Sequence, residues 1–454
     1  MIPVTKNKEY EFTIESVTSE GMGVSHIDGF CVFIPNTVDG DVVLAKILKV
    51  KTGYAYARLS KIITPSEYRV KAPCPASSKC GGCQLMHIDY KKQLEVKKDI
   101  IENALKRIGK IDVGVSEMIG ADKPYRYRNK MIFPIGIDKN GKKICGFYRE
   151  RSHDIIPLDD CLLGDEIISK IIKAVMSFIE KYKITVYNEE QHKGIVRRLF
   201  IRYGFNTDEM MVVLSINAKT LPHFDEFAKN ISSVSPKIKS VILNFNTKKT
   251  NAVLGDTNAV IFGSKTISDT LCGMKYEISP HSFFQINPYQ TEKLYNKALE
   301  LAEISENDKV MDLYCGIGTI SLCAAKKAKS VIGVEIVEQA ILDARKNAEQ
   351  NGIKNATFYA EDASVLVPKL IEDGEKPDIV ILDPPRKGSD EKTLLAIVKA
   401  KPEKIVYISC NPATLARDLR FLEDNGYKTK YVCGVDMFSQ TTHIESIAKL
   451  TLSQ

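Results

Sequence analysis

The stretch Asp312-Leu313-Tyr314-Cys315-Gly316-Ile317-Gly318-Thr319 decides the fold of the carboxyl-terminal part of the chain. It follows an apolar strand, and its glycines allow a tight turn and close backbone approach by a ligand before a helix begins. Glu335 ends the next predicted strand, where nucleotide-binding folds place a carboxylate that accepts hydrogen bonds from ribose hydroxyls. Two glycines, instead of the three of a pyrophosphate loop, favour a nucleoside cofactor without a pyrophosphate. S-adenosylmethionine is such a cofactor.

A regular alternation of strands and helices extends from this stretch. The predicted strands lie near residues 309–314, 330–336, 356–360, 377–382 and 404–409. This pattern predicts a parallel sheet with helices on both faces, as in a doubly wound, Rossmann-like α/β domain. Two final strands, near 428–435 and 444–452, are joined by a link so short that it permits only an antiparallel pair.

Three reactive side chains are expected at the carboxyl edge of this sheet. Cys410 follows the strand near 404–409, Asp383 follows the strand before it, and Glu445 begins the reversed final strand. A thiol, an aspartate and a glutamate together suggest a nucleophile, an orienting group and a general base. A small buried core residue is the alternative for Cys410 alone, but the company of the two carboxylates favours the reactive role.

The segments around these side chains resemble the RNA (uracil-5-)-methyltransferase family. The similar motifs are Asp383-Pro384-Pro385-Arg386-Lys387-Gly388, Ser409-Cys410-Asn411-Pro412-Ala413-Thr414 and His443-Ile444-Glu445, within a resemblance that covers almost the whole chain. The resemblance implies that Cys410 adds to C6 of a uracil, that C5 then takes the methyl group of S-adenosylmethionine, and that Glu445 removes the C5 proton. Asp383 would hold the uracil edge or the cofactor.

Some of the predicted cofactor contacts follow from the sequence pattern, and others from the family resemblance. Gly316 and Glu335 follow from the sequence pattern, and the resemblance adds Gln285, Tyr314 and Asp383. Asp362, which follows the third strand, is either an adenine-side contact or a helix N-cap.

Cysteines are concentrated in a second motif. Cys74, Cys80 and Cys83 have the spacing C-x5-C-x2-C, which indicates a metal or cluster site more than independent core cysteines. Cys161 corresponds to the fourth cysteine of the family, in which these four hold a [4Fe-4S] cluster. Zinc is the competing occupant, because four thiolates suit both. A fully ligated cluster would serve structure or RNA binding.

The chain is expected to form three domains. Residues 1–61 alternate apolar and polar positions between glycines, which predicts an OB-like β-barrel that resembles the RNA-binding TRAM domain. Residues 62–280 read as a mixed α+β domain that carries the cysteines. Residues 281–454 form the α/β methyltransferase domain. The helical segment 91–122 is expected to pack on this last domain.

Positive charge points to RNA as the partner. The net charge is +7, and the stretch Lys123 to Arg151 alone holds nine basic and two acidic residues. Aromatic side chains between these cations offer stacking surfaces. The predicted RNA contacts are Arg126, Arg128, Lys130 and the stacking residue Phe283, for which a core aromatic is the alternative.

The RNA substrate is inferred from the resemblance. The tRNA branch of the family is expected to lack both the barrel and the cysteine cluster, so their presence favours a uridine of 23S rRNA. A tRNA uridine, cytosine-5 methylation and a non-catalytic RNA-binding assembly factor are the alternatives. No apolar run approaches the ~18 residues of a membrane helix, and no signal peptide is apparent, so a cytoplasmic location is expected. The protein is also expected to be a monomer.

Overall fold

The structure is a computed structural model that describes residues 2–150 and 152–453. Met1, Arg151 and Gln454 lie outside the described residues. Arg151 is the last residue of the basic stretch that begins at Lys123. No helix of the described chain is both long and apolar enough to cross a membrane.

The amino-terminal unit is a six-stranded β-domain. Its strands are β1 (Glu9–Thr13), β2 (Ser16–Val17), β3 (Met22–Ile27), β4 (Phe30–Pro35), β5 (Val42–Val50) and β6 (Tyr54–Thr64). They pair in the order β1-β5-β6-β4-β3-β2. Alternate residues of β4 and β5 are buried, as the sequence pattern predicts, because successive side chains of a strand point to opposite faces.

A helical segment connects this unit to the rest of the chain. Helix α1 (Tyr90–Ala104) continues into one π-helical turn, Leu105–Gly109, and strand β7 (Glu117–Ile119) follows. Uniform helical periodicity places Ile108 on the buried face, but Ile108 is 49% exposed. The wider π-helical turn changes the angle between successive side chains, which rotates Ile108 away from the face that Leu105 buries.

The central unit is a seven-stranded sheet. Its elements are β8 (Lys130–Ile137), β9 (Lys143–Tyr148), β10 (Ile155–Pro157), α2 (Ile167–Lys181), β11 (Val196–Gly204), β12 (Glu209–Ile216), α3 (Phe224–Ser232), β13 (Ile238–Phe245) and β14 (Thr257–Gly263). The strand order is β10-β9-β8-β11-β12-β13-β14. Helices α2 and α3 pack on one face. A hairpin of β15 (Ile267–Leu271) and β16 (Met274–Ile278) packs on the other face and joins the core of the last domain.

The carboxyl-terminal unit is the predicted doubly wound domain. Its elements are α4 (Pro288–Ala302), β17 (Lys309–Leu313), α5 (Thr319–Ala325), β18 (Ser330–Glu335), α6 (Glu338–Gln350), β19 (Ala356–Ala360), α7 (Ala363–Glu372), β20 (Ile379–Leu382), α8 (Glu391–Ala400), β21 (Lys404–Ser409), α9 (Pro412–Asp424), β22 (Tyr427–Val435) and β23 (Glu445–Leu452). Strands β17 to β21 are parallel, and β23 pairs antiparallel with both β21 and β22, as predicted.

Strand β7 completes this sheet, although it precedes the central unit in the sequence. The order is β19-β18-β17-β20-β21-β23-β22-β7, and β7 pairs parallel with β22. Residues of α1 and its π-helical turn, such as Ile101 and Leu105, share a core with Leu415 and Leu419 of α9. The segment 91–122 therefore lies on the carboxyl-terminal domain.

Candidate active site

A cavity of about 750 Å³ opens at the carboxyl edge of this sheet. Strand β17 lies between β18 and β20, so the strand order reverses there, and such switch points are where open α/β sheets bind ligands. The predicted residues that line it are Phe283, Gln285, Tyr314, Gly316, Glu335, Asp362, Asp383, Cys410 and Glu445.

Sheet pairing brings the three reactive side chains together. Ser409 lies opposite Ser446 in the antiparallel pair β21–β23, so Cys410 and Glu445 occupy neighbouring positions at the rim. Asp383 follows β20, the neighbour of β21 on its other side. Adjacent strands lie about 4.8 Å apart, so Cys410 stands between the two carboxyl groups.

Burial dominates the electrostatics of this group. It raises the pKa of Glu445 well above its ordinary value, and the nearby charge of Asp383 adds to the effect while Arg386 opposes it. Burial also raises the pKa of Asp383. A carboxyl group with a raised pKa is a stronger base once it ionises, which suits removal of a carbon-bound proton.

The Cys410 thiol is held in its neutral form. Burial raises its pKa to about 11, with further increases from Glu445 and Asp383, while the charge and hydrogen bond of Arg386 lower it. Arg386 also approaches His443, with 3.4 Å between Nη2 and Nδ1, and its carbonyl oxygen accepts a hydrogen bond from Asn411 Nδ2 at 2.9 Å. Arg386 was not singled out by sequence reasoning, although it follows Asp383-Pro384-Pro385.

Reactivity of Cys410 should increase with pH. The thiolate is the nucleophile, so between pH 7 and 9, below a pKa of about 11, its alkylation rate should rise roughly tenfold per pH unit. Arg386→Leu should lower this rate at every pH in that range, because it removes a charge that favours the thiolate. Iodoacetamide labelling followed by peptide mass spectrometry measures the rate, with Lys387→Leu as the neighbouring control. Equal rates in the Arg386 and Lys387 variants would contradict the assignment.

The opposite side of the cavity suits a nucleoside. The Glu335 carboxylate accepts hydrogen bonds from the backbone N–H of Gly316 at 3.2 Å and of Val337 at 3.0 Å, which orients it at the end of β18. Gly316 has a positive φ of 55°, and a Cβ there would meet nothing within 4 Å, so the backbone is open to a ligand. Tyr314 is fixed by a 2.9 Å contact between its hydroxyl and Ser389 Oγ.

Two other predicted cofactor residues have structural contacts of their own. Asp362 is the N-cap of α7, since its carboxylate accepts from Ser364 N at 2.8 Å, and it also lines the cavity. Both alternatives for this residue are therefore compatible with its position. Gln285 is buried, and Asn129 Nδ2 donates to its carbonyl oxygen at 2.7 Å.

The structure gives Arg126 a role within the protein. Its guanidinium forms a two-pronged ion pair with Asp160, at 2.7 and 2.6 Å, and donates to the carbonyl oxygens of Cys161 and Gly164. These bonds use the donors that a phosphate would need, which argues against the predicted RNA contact. The sequence could not show this pair because Asp160 lies 34 residues away.

Of the other predicted RNA contacts, Lys130 and Arg128 are partly or largely buried, whereas Phe283 is exposed. Burial lowers the pKa of Lys130 to about 8, and the adjacent cations Arg202 and Arg128 lower it further. Arg128 Nε is buried without a hydrogen-bond partner. Phe283 is 63% exposed at the cavity, so the alternative of a core aromatic is wrong.

The four cysteines are neighbours, but their placement is not that of a ligand set. The Cys83 thiol has a raised pKa because of burial and of the fields of Cys161, Cys80 and Cys74, and Arg128 opposes the shift. However, within residues 2–150 and 152–453 no three His, Cys, Asp or Glu side chains are arranged to hold a metal ion. The donor chemistry fits an iron–sulfur cluster or zinc, and the spacing of the thiols does not confirm either.

Comparison with known proteins identifies the family. The family described as tRNA (uracil-5-)-methyltransferase matches residues 89–452, and the TRAM domain matches residues 3–60. An uncharacterized RNA methyltransferase of Halalkalibacterium halodurans is 48% identical over 451 residues, which are 99% of this chain and 98% of the relative. One of Clostridium tetani is 47% identical over 450 residues, with the same coverage.

A solved structure matches the whole fold. It is the Pyrococcus abyssi tRNA (uracil-54, C5)-methyltransferase in complex with S-adenosyl-L-homocysteine, with a TM-score of 0.79, 29% identity, and coverage of 97% of this chain and 100% of the other. Such coverage leaves no room for a missing barrel of about 60 residues. The premise that tRNA enzymes lack the barrel is therefore wrong for this relative, and the barrel does not favour rRNA over tRNA.

Family, fold and cavity agree on an enzyme that uses S-adenosylmethionine. The matching residues run from the amino-terminal strands to β23, so both the RNA-binding module and the methyltransferase sheet are included. The chain belongs to the tRNA (uracil-5-)-methyltransferase family and is an S-adenosylmethionine-dependent RNA methyltransferase with an amino-terminal TRAM domain.

Proposed function

We propose that the protein methylates C5 of a uridine through a covalent bond between Cys410 Sγ and C6 of the uracil. The observation that supports this most directly is the single cavity that contains Cys410, Asp383 and Glu445 together with the nucleoside side, Gly316 and Glu335. A thiol between two buried carboxyl groups has no comparable explanation in packing alone.

The residues divide the reaction between them. The Cys410 thiol first loses its proton to solvent, and the charge of Arg386 favours the resulting thiolate. Uracil C5 is a weak nucleophile, so this thiolate adds to C6 and places electron density on C5. S-adenosylmethionine supplies the methyl group as a sulfonium electrophile. Glu445 then removes the C5 proton, and elimination releases the thiolate and 5-methyluracil. Asp383 holds the uracil edge or the cofactor.

Cofactor binding is proposed for Gln285, Tyr314, Gly316, Glu335 and Asp362, and RNA binding for Phe283, Arg128 and Lys130. The target base must leave its stack to reach the thiol, and Phe283 offers an exposed ring at the cavity for it. Arg126 is omitted from this set because of its pair with Asp160.

The substrate is proposed to be a uridine of 23S rRNA, because the resemblance links the cysteine motif to the rRNA branch of the family, with a tRNA uridine as the second candidate. The similarity to the Pyrococcus abyssi tRNA enzyme favours the second candidate, since it extends over both the TRAM unit and the methyltransferase sheet. Both candidates need the same chemistry at C5, so the cavity alone does not separate them.

Methyl transfer to RNA from a strain that lacks the protein tests the proposal. With labelled S-adenosylmethionine, 5-methyluridine should appear in 23S rRNA, measured by nucleoside mass spectrometry after separating rRNA from tRNA. Label in tRNA alone would support the second candidate, and label in 5-methylcytidine would overturn uracil specificity. Absence of label in every RNA would favour a non-catalytic RNA-binding factor. Omitting the cofactor is the control.

We propose that Cys74, Cys80, Cys83 and Cys161 hold a [4Fe-4S] cluster. The four thiols influence one another electrostatically, and Arg128 lies where its charge would offset part of the negative charge of a thiolate cluster. Four thiolate ligands leave no open iron position, so the cluster would support the structure or RNA binding.

Anaerobically purified protein should be brown and contain iron and acid-labile sulfide in equal amounts. Cys83→Ser should lose both, because it removes a thiolate ligand. Cys31→Ser, which changes a cysteine of β4, should keep them. Stoichiometric zinc in the wild-type protein would refute the iron–sulfur assignment.

A further inference from the structure

Residues 436–442, which form most of the loop between β22 and β23, are held by a buried polar network. Asp436 accepts hydrogen bonds from Tyr90 OH and Ser439 Oγ, both at 2.6 Å, and forms an ion pair with Lys97. Lys97 Nζ also donates to the carbonyl oxygen of Phe438 at 3.1 Å. The side chains of Lys97 and Asp436 are 0% and 1% exposed.

A second pair fixes the middle of the loop. Gln440 has a φ of 72°, which is unfavourable for a residue with a side chain. Gln93 donates to Gln440 Oε1 at 3.0 Å and accepts from Gln440 N at 3.2 Å, so one glutamine binds both the side chain and the backbone of the other. The carbonyl oxygen of Gln440 accepts from Leu85 N at 3.0 Å. These bonds hold a conformation that the loop alone would not favour.

The loop leads directly into the active site. Phe438 and His443 line the cavity, and Glu445 follows two residues after His443.

Apolar contacts of Ile101 and Leu105 already attach the helical segment to α9, so the polar network is not needed for that attachment. Burying a lysine and an aspartate carries a large desolvation cost, and such pairs are weak evidence of stabilisation.

We propose that Lys97 is a positioning residue that, through Asp436 and the 436–442 loop, holds Glu445 in place for removal of the C5 proton. Lys97, Gln93 and Tyr90 all lie on α1, so one helix outside the methyltransferase sheet supplies the contacts to Asp436, Phe438 and Gln440. Tyr127 OH and Asn287 Nδ2 add hydrogen bonds to the carbonyl oxygens of Ser439 and Met437. The inference rests on the proposed function, because it assigns Lys97 to the step after methyl transfer.

The test uses the double variant Lys97→Met/Asp436→Asn, which removes both charges and leaves neither one buried alone. Turnover should fall roughly tenfold to a hundredfold, since displacing a catalytic group by about 1 Å can cost that much. With ordinary RNA and S-adenosylmethionine, the covalent protein–RNA complex should accumulate, because methylation proceeds and elimination stalls. Denaturing gels measure the complex, and calorimetry should show unchanged cofactor affinity.

Two further variants keep the test decisive. Lys98→Met removes a surface pair with Glu102 on the same helix and should behave as wild type. Tyr90→Phe removes the hydrogen bond to Asp436 and the one that Ala121 N donates to the Tyr90 hydroxyl, and it keeps the ion pair. It therefore provides a milder variant if the double variant does not fold. It should show the same accumulation to a smaller extent.

The outcomes separate the two proposals. Lower activity in both network variants without accumulated complex would mean that Lys97 has only a structural role, and the inference would be wrong while the proposed function stands. Failure of wild-type protein to form a covalent complex with 5-fluorouridine RNA would instead overturn the proposed function.

Discussion

Cys410→Ala is expected to abolish covalent trapping of 5-fluorouridine RNA and methyl transfer together. Fluorine at C5 cannot leave as a proton does, so the wild-type adduct persists, whereas the alanine variant has no sulfur to form it. Loss of a covalent nucleophile costs roughly 10⁴-fold or more in turnover. Denaturing gels and labelled methyl incorporation measure the two effects.

Cofactor binding should survive this change. Cys410 follows β21 and Glu335 ends β18, which are three strand spacings apart in the sheet, or roughly 14 Å at 4.8 Å each. Calorimetry with S-adenosylmethionine should therefore give wild-type affinity. Cys31→Ala, in the TRAM unit, is the control and should retain trapping and turnover. Continued methylation by Cys410→Ala would exclude Cys410 as the nucleophile.

Glu445→Gln is expected to accumulate a covalent complex with ordinary uridine RNA. The glutamine keeps the size of the side chain but cannot remove the C5 proton, so the reaction stops after methyl transfer. Turnover should fall roughly 10²- to 10⁴-fold, the usual contribution of a general base. Mass spectrometry of the trapped RNA should show the added methyl group.

Two controls test whether this covalent complex arises from methyl transfer and from the loss of the Glu445 carboxylate. It should be absent without S-adenosylmethionine, because the reaction is expected to stop only after methyl transfer, and it should be absent in the surface control Glu306→Gln. An inactive Glu445→Gln protein without any adduct would place Glu445 at an earlier step or in shaping the pocket.

The sequence predicted the position of these side chains where its signals are local. Strand ends follow from apolar runs and turns, so Cys410, Asp383 and Glu445 could be placed at one edge before their pairing was known. The short link before Glu445 was enough to predict a reversed final strand, because a parallel connection needs a longer crossover.

Long-range contacts were not predictable in this way. Lys97 on an amphipathic helix reads as a solvated residue, and its burial depends on Asp436, 339 positions later. Arg126 reads as an RNA contact until Asp160 is seen beside it. The π-helical turn that exposes Ile108 has no recognisable sequence signature, since each of its residues also fits an ordinary helix.

The position of β7 has a consequence for how the protein is made. Glu117 pairs with Cys433, so β7 cannot pair with β22 until residues 316 positions later in the chain have been synthesised. During synthesis, α1 and β7 leave the ribosome long before their partners, and the TRAM unit and central sheet can fold in the interval. A fragment that begins at residue 281 would lack both elements, leaving the edge of β22 and the apolar side of α9 uncovered. Such a fragment should aggregate. Adding residues 89–122 as a separate peptide should reduce the aggregation without abolishing it, because the β15–β16 hairpin that joins the core of this domain is also missing.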